Sequence, residues 1–303
     1  MKLIRLALDW TPNMNHIGFY VAKYLGIYEQ YGIQLEILNP LDDNYSLTPG
    51  KKLETNLVDF AIAPFETVIS LNNKKNKVDA MAVFAILQED LSCIVTLADS
   101  EIDHPKNLDQ KSYASYKARY EDHIVRQLIV NDGGFGTMNI VYPEKLGIWN
   151  TILEGKADAT WIFDNWEGVE ATQKGIKLNR FFLKDFGIPY GYLPVVLTKQ
   201  QFINTNEELC IRFLKATRKG YLFTQKNPTE AISVFKQHLT ADDLANIDLS
   251  QSLEMTSPYF GNEDTCGIMT VERINAFLNW LVVHKLENER ILRQQLFTND
   301  LLD

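Results

Sequence analysis

Short apolar runs and helically spaced apolar residues alternate along most of this chain. Leu3 to Leu8, Leu35 to Leu38, Val58 to Ala63, Asp79 to Leu87 and Leu91 to Leu97 read as buried strands. So do Ser112 to Tyr116, Val141-Tyr142, Ala157 to Phe163 and Leu193 to Thr198. Between them, apolar positions recur near the helical period. Phe19, Val21, Ala22, Tyr24 and Leu25 mark a helix over Gly18 to Tyr28, with Gly26 as its stop signal. Lys51 to Leu57, Phe65 to Leu71, Glu121 to Asn131 and Leu146 to Leu153 read as further helices. Glu207 to Gln225, Thr229 to His238 and Val271 to Leu286 make the last third mostly helical. Strands alternating with helices predict βαβ units, largely parallel sheets and an α/β fold class.

The same pattern predicts two lobes. Asp103 to Gln110 reads as a linker into a second region. Leu91 to Leu97 and Leu193 to Thr198 are expected to be neighbouring strands where the chain crosses out and back. The expected division is 1–97 with 191–303 as a discontinuous first lobe and 98–190 as an inserted second lobe. A small-molecule ligand would lie in the cleft between them.

The densest chemistry follows the first strand, in Leu8-Asp9-Trp10-Thr11-Pro12-Asn13-Met14-Asn15-His16. Ligands of open α/β sheets bind beyond the carboxyl ends of strands. Asp9 can accept from an amine, Trp10 offers a flat apolar face, and Asn13 and His16 can donate or accept. The motif also reads as a capped strand-to-helix turn with a packed Trp, and the sequence leaves both open.

Three later stretches add candidates. Pro64-Phe65-Glu66-Thr67 opens a helix, and Glu66 either faces the cleft or favours the helix start. Tyr116, Lys117 and Arg119 lie in a strand-to-helix turn, where free N–H groups and added cations suit an anion. That stretch also reads as a solvated basic turn balanced by Glu121 and Asp122. Asp164, Asn165, Trp166 and Glu167 follow an apolar strand whose Trp161 and Phe163 read as core. Here a carboxylate and an indole would suit a flat ring that carries an amine, while Asp164 or Asn165 would also serve as a helix cap. Tyr190 would cover the ligand or pack the hinge.

Composition narrows the function classes. Hydrophobic residues are 46% and charged residues 23%, as in ordinary globular proteins. A net charge of −9 argues against a nucleic-acid partner. No run is long and apolar enough for a membrane span, and the amino terminus lacks a signal-peptide pattern. As written the protein is expected in the cytoplasm, or in the periplasm or at the cell surface if a signal was removed. Cys93, Cys210 and Cys266 suggest neither a disulfide framework nor a zinc site. The histidines have no metal-ligand spacing, and no Walker A sequence, nucleophile elbow or dinucleotide fingerprint occurs.

Several of these segments together resemble a known family. They are Leu8 to His16, Gly26-Ile27-Tyr28, Tyr31-Gly32-Ile33, Asp59 to Ala63, Leu153 to Ala159 and Asn165-Trp166-Glu167. The family contains the thiamine-pyrimidine-precursor-binding proteins of ABC importers and the thiamine-pyrimidine synthases that share their fold. The resemblance implies a type II periplasmic-binding architecture with two lobes closing over a ligand of hydroxymethylpyrimidine or formylaminopyrimidine type. It implies no cofactor for a binder, with an importer membrane subunit as partner. For a synthase it implies pyridoxal phosphate, iron and a self-consumed histidine. The matched positions for the synthase lysine and histidine are Ala63 and Thr67, which carry neither amine nor imidazole. The cysteine-rich run of the synthases is matched by Gly187 to Pro194, which has no Cys. A binding protein for another heteroaromatic or sulfonate-like nutrient is the remaining alternative.

Overall fold

The computed structural model describes residues 1–143 and 148–302. The amino-terminal elements are β1 (Lys2–Ala7), α1 (Ile17–Tyr24), α2 (Ile27–Gln30), β2 (Ile33–Leu38), α3 (Pro49–Glu54), β3 (Phe60–Ala63), α4 (Glu66–Asn72) and β4 (Ala80–Ala85). The middle of the chain forms β5 (Ser92–Leu97), β6 (Ser112–Ala114), α5 (Glu121–Asn131), β7 (Asn139–Val141), α6 (Ile148–Leu153), β8 (Ala159–Phe163), α7 (Glu167–Gln173) and β9 (Leu178–Phe181). The remainder forms β10 (Val195–Lys199), α8 (Gln200–Lys226), α9 (Pro228–Phe235), α10 (Ala241–Asn246), α11 (Leu249–Thr256) and α12 (Val271–Val283). The expected helix over Leu146 to Leu153 starts outside the described residues.

The strands form two five-stranded mixed sheets, ordered β2-β1-β3-β10-β4 and β7-β6-β8-β5-β9. In the first, β1 runs parallel to β2 and β3, and β10 runs antiparallel to β3 and β4. In the second, β6 runs parallel to β7 and β8, and β5 runs antiparallel to β8 and β9. Each sheet thus has one reversed strand, and it is the strand the chain enters directly after crossing from the other lobe. Helices cover the sheets in a two-lobe α/β arrangement.

The crossing strands differ from expectation. β5 and β10 do not neighbour each other, because β5 lies in the second sheet and β10 in the first. The chain therefore leaves the first sheet before Ser92, and residues 92–97 belong with the second sheet. Pro105 to Leu108, within the expected linker, is a 3-10 turn between β5 and β6 inside that lobe. The physical reason is that β4 and β5 are both almost wholly buried, on both faces. Such strands carry no polar face that marks which sheet they join.

Two crossing segments form the hinge. The Ile86 N–H donates to the Pro194 carbonyl at 3.1 Å. Arg273 of α12 clips both segments, donating to the carbonyls of Gln88 and Gly191. Away from the hinge, hydrogen bonds among the described residues join the lobes on two faces. Asn165 Nδ2 donates to Asn15 Oδ1 and Thr256 Oγ1, both at 2.9 Å, and Ser252 Oγ donates to the Asn165 carbonyl at 2.5 Å. On another face, Arg119 and the Tyr120 hydroxyl both donate to Glu287.

The main core lies under α1, α8 and α9 against the first sheet. Its tightest point is a glycine contact. A Cβ on Gly18 would stand 2.5 Å from the Tyr221 ring, and a Cβ on Gly220 would overlap the Gly18 carbonyl. The three cysteines are free and buried, as small core residues.

Candidate ligand-binding cleft

β1 ends at Ala7, and Leu8 to Asn13 leads into a single 3-10 turn, Met14–His16, before α1 begins. Asn13 caps that turn: its Oδ1 accepts from the Asn15 N–H at 3.0 Å, and its Nδ2 donates to the Thr11 carbonyl at 3.3 Å. Tyr221 of α8 pins the turn by donating to the Asn15 carbonyl at 2.6 Å. The loop is thereby fixed at the mouth of the inter-lobe cleft, with Asp9 and Trp10 on the cleft wall.

The cleft is about 880 Å³. The first lobe contributes Asp9, Trp10, Tyr45, Ala63, Glu66 and Thr67. The second lobe contributes Tyr116, Lys117, Arg119, Glu121, Trp161, Phe163 and Glu167. Tyr190, from the return crossing, closes the hinge side. The aromatic rings frame a slot. Trp10 lies 5.4 Å from Tyr45 and meets Tyr116 edge-on at 6.1 Å across the lobes. Trp161 lies 5.5 Å from Tyr190.

Glu66 from the first lobe and Glu167 from the second each bring a buried carboxyl to this slot. Glu66, at the start of α4, accepts from the Tyr190 hydroxyl at 3.0 Å. Glu167, at the start of α7, accepts at 3.0 Å from the Phe163 N–H. Burial pushes both groups up to about 7. The Tyr190 hydroxyl bond at Glu66 and the Phe163 backbone bond at Glu167 offset only part of that effect.

Eight of the sequence candidates line the cleft: Asp9, Trp10, Glu66, Tyr116, Lys117, Arg119, Glu167 and Tyr190. Four are placed elsewhere. Asn13 is buried as the turn cap, because a short polar side chain here satisfies N–H groups that the turn leaves free. His16 is fully buried behind Asp9 and holds it, so its ring is not on the wall. Asp164 pairs with Arg180 of β9 at 2.5 Å, an element the sequence pattern did not reveal. Trp166 is 4% exposed and packs into the main core.

The structure also adds residues. Trp161 and Phe163, expected in the core, form cleft wall. Their alternation put both on one face of β8, and that face looks into the cleft. Tyr45 joins Trp10 from the loop after β2, with φ at 57°. Glu121, expected only to balance a basic turn, is 3% exposed and lines the cleft. Among the described residues, no group of three or more His, Cys, Asp or Glu side chains is placed to hold a metal ion, and no helix is long and apolar enough to cross a membrane.

A family model described as NMT1/THI5 like matches residues 13–231. The chain belongs to the NMT1/THI5-like family. A formylaminopyrimidine-binding protein of Halalkalibacterium halodurans is 23% identical over 99% of this chain and 90% of its own length. A 4-amino-5-hydroxymethyl-2-methylpyrimidine phosphate synthase of Legionella pneumophila is 24% identical over 77% of this chain and 73% of its own. The solved periplasmic aliphatic sulphonate-binding protein SsuA of Escherichia coli superposes with a TM-score of 0.70 at 12% identity. That match covers 100% of this chain and 94% of SsuA, which shows the fold to be the periplasmic-binding one. Within this NMT1/THI5-like chain, Ala63 and Thr67 both line the cleft. Both bring small side chains, a methyl group and a hydroxyl, to the cleft wall.

Proposed function

We propose that the cleft binds a thiamine pyrimidine precursor of hydroxymethylpyrimidine or formylaminopyrimidine type. The observation that carries this is a pair of buried carboxyls drawn from the two lobes, Glu66 and Glu167, in a slot framed by Trp10, Tyr116 and Trp161. Carboxylates accept from the exocyclic amine, and the aromatic faces enclose the ring. The Halalkalibacterium relative, named for such a ligand, supports the reading. Asp9, Lys117, Arg119 and Tyr190 complete the proposed polar lining. As with the importer binding components, the ligand would be handed to a membrane subunit outside the cytoplasmic membrane.

The synthase reading fits the residues less well. Schiff-base chemistry with pyridoxal phosphate needs an amine, and Ala63 has none. His16 is buried against Asp9, with both ring nitrogens engaged. Lys117 brings the amine nearest in role, but its Nζ stands 4.8 Å over the Tyr142 ring. At the matched positions, Ala63 and Thr67 supply neither the amine nor the imidazole that the cofactor chemistry needs. A larger flat heteroaromatic ligand is the second reading, favoured by a cleft roomier than one pyrimidine ring needs.

The test is calorimetric titration of hydroxymethylpyrimidine and formylaminopyrimidine into wild type and Trp10→Ala. Binding of either by wild type, weakened by about fivefold or more in the variant, is expected, since an aromatic contact is worth about 1 kcal/mol. No binding of either, or equal binding by both proteins, would overturn the proposal.

A further inference from the structure

The turn that leads into α5 is built as an anion cradle. Lys117 takes a left-handed conformation, φ 64°, unusual for a residue with a side chain. A left-handed residue in such a turn makes successive backbone N–H groups converge, and such concavities hold anions. They lie at the amino terminus of an eleven-residue helix, whose dipole adds to the effect.

That cradle is already filled from within the chain. Glu121 Oε1 accepts from the Tyr116 N–H at 3.0 Å and from the Tyr113 hydroxyl at 2.7 Å. Glu121 Oε2 accepts from the Ala118 N–H at 3.0 Å. The intervening Lys117 N–H donates to Ser115 Oγ at 3.0 Å. The N–H groups of Tyr116, Lys117 and Ala118 are thus all spent.

The cations on the cleft wall are likewise engaged. Lys51 and Lys74 both contact Glu54, Arg119 pairs with Glu287, and Lys117 caps the Tyr142 ring. The same wall carries Asp9, Glu66, Glu121 and Glu167. A ligand phosphate entering here would meet a carboxylate where its donors should be.

We infer that Glu121 is a specificity-determining residue: its carboxylate occupies the cleft's anion cradle, so the cleft takes an unphosphorylated heteroaromatic ligand and rejects the phosphate ester. The inference rests on the proposed pyrimidine ligand for its probe, but not for its geometry. A mere helix-start role for Glu121 would affect stability without changing the choice between alcohol and ester.

The experiment compares hydroxymethylpyrimidine with its phosphate by calorimetry, on wild type, Glu121→Ala and Glu121→Gln. Like charges forced together cost several kcal/mol, so wild type should prefer the alcohol by about 100-fold or more. In Glu121→Ala the preference should shrink by about tenfold or more through gained ester affinity. Glu121→Gln keeps the side chain's size and removes its charge, and should move the ratio the same way if the alanine variant fails to fold. Ester binding as tight as alcohol binding in wild type, or an unchanged ratio in a folded variant, would overturn the inference. Sulfate titration, read by thermal shift, separates this outcome from failure of the ligand assignment. If neither pyrimidine binds, the variants should still gain a sulfate site that wild type lacks, and no gain would overturn the inference.

Discussion

His16 Nε2 stands 2.8 Å from Asp9 Oδ1, while His16 Nδ1 accepts at 3.2 Å from the Asn13 N–H. The second contact fixes the tautomer. With Nδ1 accepting, the ring proton sits on Nε2 and is donated to Asp9. His16 is fully buried, whereas the Asp9 side chain keeps 18% of its surface open. The histidine thus acts behind the wall, holding one carboxylate oxygen so that the other is presented to the cleft. His16→Ala strands a buried backbone donor and frees Asp9, costing about 1–3 kcal/mol of stability in urea denaturation. Ligand affinity should fall as well. A variant that binds as tightly as wild type would show that Asp9 needs no such support.

Glu287 ties the second lobe to the segment after α12. It accepts from Tyr120 at 2.6 Å and from Arg119 at 2.5 Å, and its own side chain is only 6% exposed. Arg119 is about one-third exposed, so solvent screens the pair and limits its worth to about 1 kcal/mol. Glu287→Gln should therefore weaken ligand binding by about fivefold or less, and it should raise the radius of gyration of the ligand-free protein in solution scattering. Scattering curves that coincide would remove the tie from any part in closure.

The contact between α1 and α8 bears on the same loop. Gly220 lies against Gly18, and the next residue, Tyr221, holds the Asn15 carbonyl. Gly220→Ala forces the helices apart, at about 1–3 kcal/mol for an overpacked site. Because Tyr221 must move too, affinity should drop along with the urea midpoint. A drop in the midpoint alone would show that the loop is held independently of the helix.

The fold was largely legible because most apolar runs are long enough to declare a strand and most helices are bounded by Gly, Pro or a cap, although α10, α11 and β9 were not announced. The helix over Glu121 to Asn131 matches α5 residue for residue. Which sheet a fully buried strand joins was not legible. β5 has no polar side to place it, and β9, LNRF, is too polar to announce itself. At the site, the motif after β1 pointed to the right loop but not to the division of labour within it. Asp9 and Trp10 face outward, and Asn13 and His16 face inward, because a 3-10 turn rather than an α-helix follows. Alternation placed Trp161 and Phe163 on one face of β8, but only the second lobe's position shows that this face is cleft and not core. Glu121 looked like charge balance because its partners are backbone N–H groups, which leave no trace in sequence.

Two of the cleft carboxyls, Glu66 and Glu167, set a pH dependence whose sign follows from their burial. Glu66 and Glu167 are raised from the ordinary 4.5 to about 7, with desolvation the first cause in each. Between those values the folded protein keeps protons that the unfolded chain gives up. Stability is therefore greatest on the acid side and is lost as pH rises from about 5 to 7. Asp90, raised to about 6 by burial, acts in the same direction. Groups held low, such as Glu54 and Asp109, act only below their ordinary range and do not offset this window. The ligand-free melting temperature should fall across that window, and Glu66→Gln with Glu167→Gln should flatten the fall. An aminopyrimidine that donates N–H groups to these carboxyls favours their ionised form, so binding near pH 6 should release protons. Calorimetry in two buffers of different ionisation enthalpy measures that release directly. Proton uptake on binding would mean that the ligand does not reach Glu66 and Glu167, and a slope unchanged in the double variant would mean that these two carboxyls do not set the pH dependence.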